Sequence, residues 1–170
     1  MSGRVLVAGI GNIFLADDGF GCKVVRRLTG REFPEEVEVV DFGIRGLDLA
    51  YALQDGYEVV IFVDALPRGE KPGTVYLIEP EIENEGEVAI DTHGMDPVKV
   101  LRFARAMGAE IPRTLVVGCE PQVVLSGENY DDMLMELSGP VQAAVDEAAK
   151  LVQSLVDEIC GSHSGQRADG

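Results

Sequence analysis

The side chains that combine a reactive type with a suggestive position are mostly carboxylates. Asp17 and Asp18 stand side by side in a glycine-rich run, Gly9-Ile10-Gly11-Asn12-Ile13-Phe14-Leu15-Ala16-Asp17-Asp18-Gly19-Phe20-Gly21. Asp41 opens the run Asp41-Phe42-Gly43-Ile44-Arg45-Gly46, and Asp64 directly follows the apolar run Val59 to Val63. Asp91 and His93 share the polar stretch Asp91-Thr92-His93-Gly94-Met95. Carboxylates and an imidazole are the donors that suit a borderline divalent cation, and they also move protons. Gly9-x-Gly11 after an apolar run opens like a dinucleotide-binding turn. That fingerprint wants glycine where Phe14 stands, and two acids occupy the place of a pyrophosphate. The turn therefore reads as one that holds a cation or handles protons.

Each of these residues also has a plainer use. Asp64 is as well suited to capping a turn, and one of Asp17 and Asp18 to capping a helix. Asp41 suits loop amides, and Arg45 suits pairing with a neighbouring carboxylate. His93 stands out because the only other histidine, His163, lies near the polar end of the chain. Cys119 reads as a small buried core residue rather than a nucleophile. Cys160 and His163 have a metal-like spacing but nothing else around them. HExxH and GxSxG are absent, which argues against a zincin and an α/β-hydrolase.

The elements that would position these groups alternate. Apolar runs predict strands near 4–9, 36–41, 57–64, 73–79 and 113–119; helical patterns fall near 18–30, 46–55, 96–108 and 139–160. In the last, Val141, Val145, Ala148, Val152, Leu155 and Ile159 recur at helical steps, with Pro140 in the first turn. For the helix at 96–108, Asp96 is the expected cap, Pro97 the first residue and Gly108 the stop. Val59 to Val63 and Leu115 to Val117 are continuously apolar, as in strands covered on both faces. The fold class that follows is α/β. It is a three-layer αβα arrangement around a twisted, mainly parallel five-stranded sheet. The run at 73–79 comes too soon after its predecessor for a crossover helix, so it is the antiparallel member. In such a sheet ligands bind beyond the carboxyl ends of the strands, where Asn12, Asp17, Asp18, Asp41, Asp64 and Glu120 all fall.

At 170 residues the chain suits a single domain, expected over 1–160, with 161–170 a small, polar, disordered tail. A net charge of −16 makes nucleic acid an unsuitable partner and is compatible with attraction to a basic peptide. Three scattered cysteines, no signal-like segment and no apolar run of roughly 20 residues point to a soluble cytoplasmic protein.

The ordered set Gly9-x-Gly11-Asn12…Asp17-Asp18-Gly19-x-Gly21, Asp41-x-Gly43…Gly46, Asp64-Ala65, Asp91-x-His93-x-Met95 and Gly118-x-x-Pro121 resembles the hydrogenase maturation protease family, from about residue 4 to 155. These endopeptidases trim the C-terminal extension from the large subunit of nickel–iron hydrogenases. The resemblance implies a twisted sheet flanked by helices and a metal-binding, catalytic cluster of Asp18, Asp64 and His93. Some relatives carry glutamate at the position of Asp18. It further implies that nickel arrives already loaded in the large-subunit precursor, that cutting follows its insertion, and that the protease works as a monomer. A non-catalytic nickel-checkpoint module would use the same cluster. A nucleotide-dependent oxidoreductase is the weaker alternative.

Overall fold

The computed structural model describes residues 3–80, 97–124 and 136–168, those from 162 onward as backbone alone. Five strands form one sheet: β1 (Val5–Ile10), β2 (Val37–Gly43), β3 (Val59–Ala65), β4 (Val75–Ile78) and β5 (Arg113–Cys119). Their order is β2-β1-β3-β5-β4. The β1–β2, β1–β3 and β3–β5 pairs are parallel, and β4 runs antiparallel to β5. The short connection after β3 does give the antiparallel strand, but its partner is β5, which inserts between β3 and β4.

Alternate residues of a strand point to opposite faces, and here both faces are covered. Val5, Val7, Ile61, Val63, Leu115 and Val117 pack with side chains of α1 (Phe20–Leu28) and α4 (Gly139–Ala168). Leu6, Ala8, Val60, Phe62 and Val116 form a second core with α2 (Gly46–Ala52) and α3 (Pro97–Ala106). This is the three-layer αβα architecture that the continuous apolar runs imply. Pro97 begins α3 as expected; Asp96, its expected cap, lies outside the described residues.

Several boundaries differ from expectation by a few residues; β2 runs on to Gly43, and α2 gives way to a 3-10 turn at Leu53–Asp55. The first helix is preceded by a single 3-10 turn, Ala16–Gly19, so α1 begins at Phe20 rather than at 18. At the other end, α4 continues to Ala168, through Gly161 and past the expected end at 160. Propagating an established helix adds one hydrogen bond per residue fixed, and the two glycines of this stretch, Gly161 and Gly165, cost only about 1 kcal/mol each. Among the described residues no helix is long and apolar enough to cross a membrane.

The topology selects one place on the sheet. From β1 the chain passes through α1 on one face to β2, then through α2 on the other face to β3, on the far side of β1. The strand order therefore reverses between β1 and β3. The crevice beyond their carboxyl ends is the switch point where open α/β sheets bind ligands.

Candidate active site

The turn after β1 is folded back on itself. Gly11, at φ 129°, donates its N–H to the Gly43 carbonyl at 2.9 Å. A Cβ on Gly11 would lie 1.9 Å from the Asp18 carbonyl oxygen, so only glycine allows this return. Asn12 Oδ1 accepts the Phe14 N–H at 2.9 Å, a local Asx-type closure, and Asp18 donates its N–H to the Leu15 carbonyl at 3.1 Å. At Gly21 a Cβ would meet the Val63 carbonyl oxygen at 2.0 Å, which presses the start of α1 onto the end of β3. The glycines thus serve close backbone packing, not the approach of a phosphate.

Asp18 sits on the 3-10 turn at this crevice, half-buried. One of its oxygens, Oδ2, accepts the Asn12 N–H at 2.8 Å. Among the described residues, no Lys or Arg pairs with it. Burial pushes the Asp18 carboxyl above its ordinary value, and the Asn12 N–H only partly opposes that. Asp64, on β3 one residue beyond Val63, is 3% exposed and stands in register with Gly118 of β5. The two acids therefore flank the switch point, one from the turn after β1 and one from the end of β3. His93, the third residue of the implied cluster, lies outside the described residues, as does Asp91. Among the described residues no group of three His, Cys, Asp or Glu could hold a metal ion.

Asp17 is used in the opposite way to its neighbour. It is 0% exposed and caps no helix. Its Oδ2 accepts the N–H groups of Gln122 and Val123, both at 2.8 Å, and the Ser138 hydroxyl at 2.9 Å; its Oδ1 accepts the Ser138 N–H at 2.7 Å. Glu120 plays a similar structural part and is 4% exposed. Its carboxylate takes the Arg68 N–H and the Glu70 N–H, each at 2.7 Å at the shortest, holding the loop after β3 against the end of β5. Sequence reasoning placed both acids at the correct edge but could not tell that they are enclosed. The only hint was their position beside residues that begin or end elements.

Beside the Asp18 turn, toward β2, lies an open pocket of about 350 Å³ with Asn12, Phe14, Arg26, Asp41, Ile44 and Arg45 among its walls. Asp41 Oδ1 accepts the Gly43 N–H at 3.0 Å, as expected of a loop aspartate, and Arg45 pairs with Asp48 at 3.5 Å. Arg45 also donates to the Asp41 carbonyl at 2.7 Å, fixing the end of β2. Cys22 is fully buried on the pocket wall, and burial, reinforced by Asp41, pushes its thiol up to about 12. Burial likewise pushes the Cys119 thiol up to about 12, consistent with the core role read from sequence. Around the pocket mouth and along α2, Phe14, Ile44, Leu47 and Tyr51 are exposed apolar side chains.

This arrangement has known relatives. The sequence pattern of the hydrogenase maturation proteases matches residues 22–155. HoxM of Cupriavidus necator, a hydrogenase expression/formation protein, is 32% identical over 153 residues, covering 88% of this chain and 74% of its own. The hydrogenase maturating endopeptidase HybD of E. coli has the same fold, with a TM-score of 0.71 at 27% identity, over 91% of this chain and 93% of that one. The hydrogenase 2 maturation peptidase of a Thaumarchaeota archaeon gives a TM-score of 0.67 at 33% identity, over 90% and 97%. The chain belongs to the hydrogenase maturation protease family, and is accordingly a peptidase. A nucleotide-dependent oxidoreductase does not fit that kinship.

Proposed function

We propose that this peptidase removes the C-terminal extension of a nickel–iron hydrogenase large-subunit precursor after nickel insertion. On this reading nickel belongs to the substrate. The precursor's own cysteines carry it, and Asp18, Asp64 and His93 offer transient ligands. The observation that carries the reading is the pair Asp18 and Asp64 at the switch point, where Asp18 has no cationic partner among the described residues. Two carboxylates and an imidazole hold such an ion less tightly than an all-thiolate cage, as a checkpoint that must release its client requires. The exposed apolar residues Phe14, Ile44, Leu47 and Tyr51 beside the crevice suit a protein client rather than a small molecule. The pocket walled by Asp41, Ile44 and Arg45 offers a channel for the extension peptide.

Hydrolysis then needs a water oxygen to attack the scissile carbonyl carbon while a proton leaves that water. The C–N bond breaks, and the departing amine takes up a proton. Polarisation of the carbonyl by the substrate's metal and proton removal by a carboxylate are both compatible with the site. Asp18, whose affinity for a proton is raised by burial, suits the second task. The test is the intact mass of a cognate precursor incubated with the protein, with and without nickel. Loss of the C-terminal peptide only from the nickel-loaded precursor supports the reading; cleavage without nickel removes the metal gate from it.

A second reading is a non-catalytic nickel-checkpoint module. It is favoured by one relative, the coenzyme F420 hydrogenase subunit delta of Methanothermobacter thermautotrophicus, 29% identical over 161 residues, which is named as a hydrogenase subunit. Nickel-dependent complex formation with an unchanged precursor mass would select it.

A further inference from the structure

We propose that Asp17 is a positioning residue: its buried carboxylate aims Asp18 into the crevice by locking the strained turn that carries both. The proposal rests on the reading of Asp18 given above.

Three observations meet here. The first is strain. Ala16, 1% exposed, has φ 50°, the only non-glycine residue with positive φ among the described residues. An alanine in the left-handed region persists where its surroundings over-determine it. The second is the clamp immediately after it. Both oxygens of Asp17 are engaged, by donors 105, 106 and 121 residues away in sequence. Gln122 and Val123 follow β5, and Ser138 lies at the start of α4, so the turn is tied to two separate parts of the framework.

The third is the geometry of the turn itself. In a 3-10 turn consecutive side chains point about 120° apart. With Asp17 held inward at Gln122, Val123 and Ser138, Asp18 is directed away from them, to where its Oδ2 meets the Asn12 N–H. Fixing one aspartate therefore fixes the direction of the other. Asp17 touches no substrate and acts only through Asp18.

A purely structural knot would also be buried and bonded, so the test must read Asp18 directly. In Asp17→Asn the side chain keeps its size, but whichever way the amide is turned its NH2 faces an N–H group. We expect the Asn12 amide, which reports the bond to Asp18, to exchange with solvent about tenfold faster or more in the free protein, while the Val7 amide in β1 keeps its protection. In processing of a nickel-loaded precursor, kcat should fall about 30-fold or more with KM nearly unchanged. The same substitution made in an Asp18→Asn background should cost nothing further. Unchanged Asn12 exchange, or losses that multiply in the double variant, would overturn the proposal. Should Asp17→Asn fail to fold, Ser138→Ala removes one of the three donors to Oδ2 and is read the same way, with smaller effects expected and the same two results overturning it. If Asp18→Asn alone leaves processing intact, the reading of Asp18 as part of the active site fails. The Asn12 exchange still decides whether Asp17 sets its direction.

Discussion

At the amino end of the sheet, Arg4 pairs with Glu38 and lies 4.5 Å from the centre of the Tyr57 ring, and the Tyr57 hydroxyl donates to Glu38 at 2.7 Å. At the carboxyl end of the same strands, Asp18 accepts one backbone N–H and meets no cation among the described residues. The two carboxylates answer differently. Hydrogen bonds from Tyr57 and Arg4 hold Glu38 below its ordinary value, whereas burial pushes Asp18 above its own. One end of the sheet uses charge to hold strands together. The other tolerates a half-buried acid whose ionised form burial disfavours and a single backbone N–H only partly supports.

The sharpest way to break this comparison is to exchange the roles. Asp64→Asn and Asp18→Asn should each slow processing of a nickel-loaded precursor about 100-fold or more, followed by product mass, while Glu38→Gln leaves the rate unchanged. An equal loss from Glu38→Gln would erase the functional distinction between the two ends. Next in size, Glu120→Ala should cost about 2–4 kcal/mol in urea unfolding, because it strands the buried N–H groups of Arg68 and Glu70. This separates the enclosed acids of the carboxyl end from the open one.

Smaller still, Ala16→Gly should raise stability by up to about 1 kcal/mol, since relief of the left-handed conformation is partly offset by added chain entropy. The pH dependences should then have opposite signs. Asp18 has a raised value, so ionisation weakens the fold as pH rises from its ordinary 3.8 through the raised value. Asp18→Asn should therefore melt higher than the parent at pH 7, and the gain should vanish below about pH 3.8. Glu38 has a lowered value, so its contribution is present above its ordinary 4.5 and is lost as pH falls through the lowered one. Glu38→Gln should melt slightly lower at pH 7, and the difference should close in acid. Last, Cys22 and Cys119, with thiols near 12, should resist iodoacetamide at a pH of about 8.5 in the native protein and react on unfolding.

Much of this was legible in the residues because local pattern and long-range packing agree. Val59 to Val63 reads as a strand covered on both faces and becomes β3, and the spacing of Val141, Val145 and Val152 becomes the buried face of α4. Asp64 could be placed at a strand end, and thus at the site edge, from its preceding apolar run alone. The division of labour between Asp17 and Asp18 was not legible. The residues are identical neighbours, and what separates them is the direction of one short turn and partners more than 100 residues downstream. The same holds for β4, whose partner β5 arrives only after α3. Local propensity carries no information about either.

The tie from Asp17 to Ser138 also orders events in time. The turn after β1 is synthesised more than 100 residues before the donors that fix it, which belong to β5's exit and the beginning of α4. Contacts of such long sequence separation form late, because the intervening chain must be ordered first. A nascent chain can pair β1 with β2 and β3 well before it can set the direction of Asp18. The turn is thus fixed only when β5 and α4 have docked, so that on the role proposed for Asp18 a partly made chain has a sheet but no aimed carboxylate.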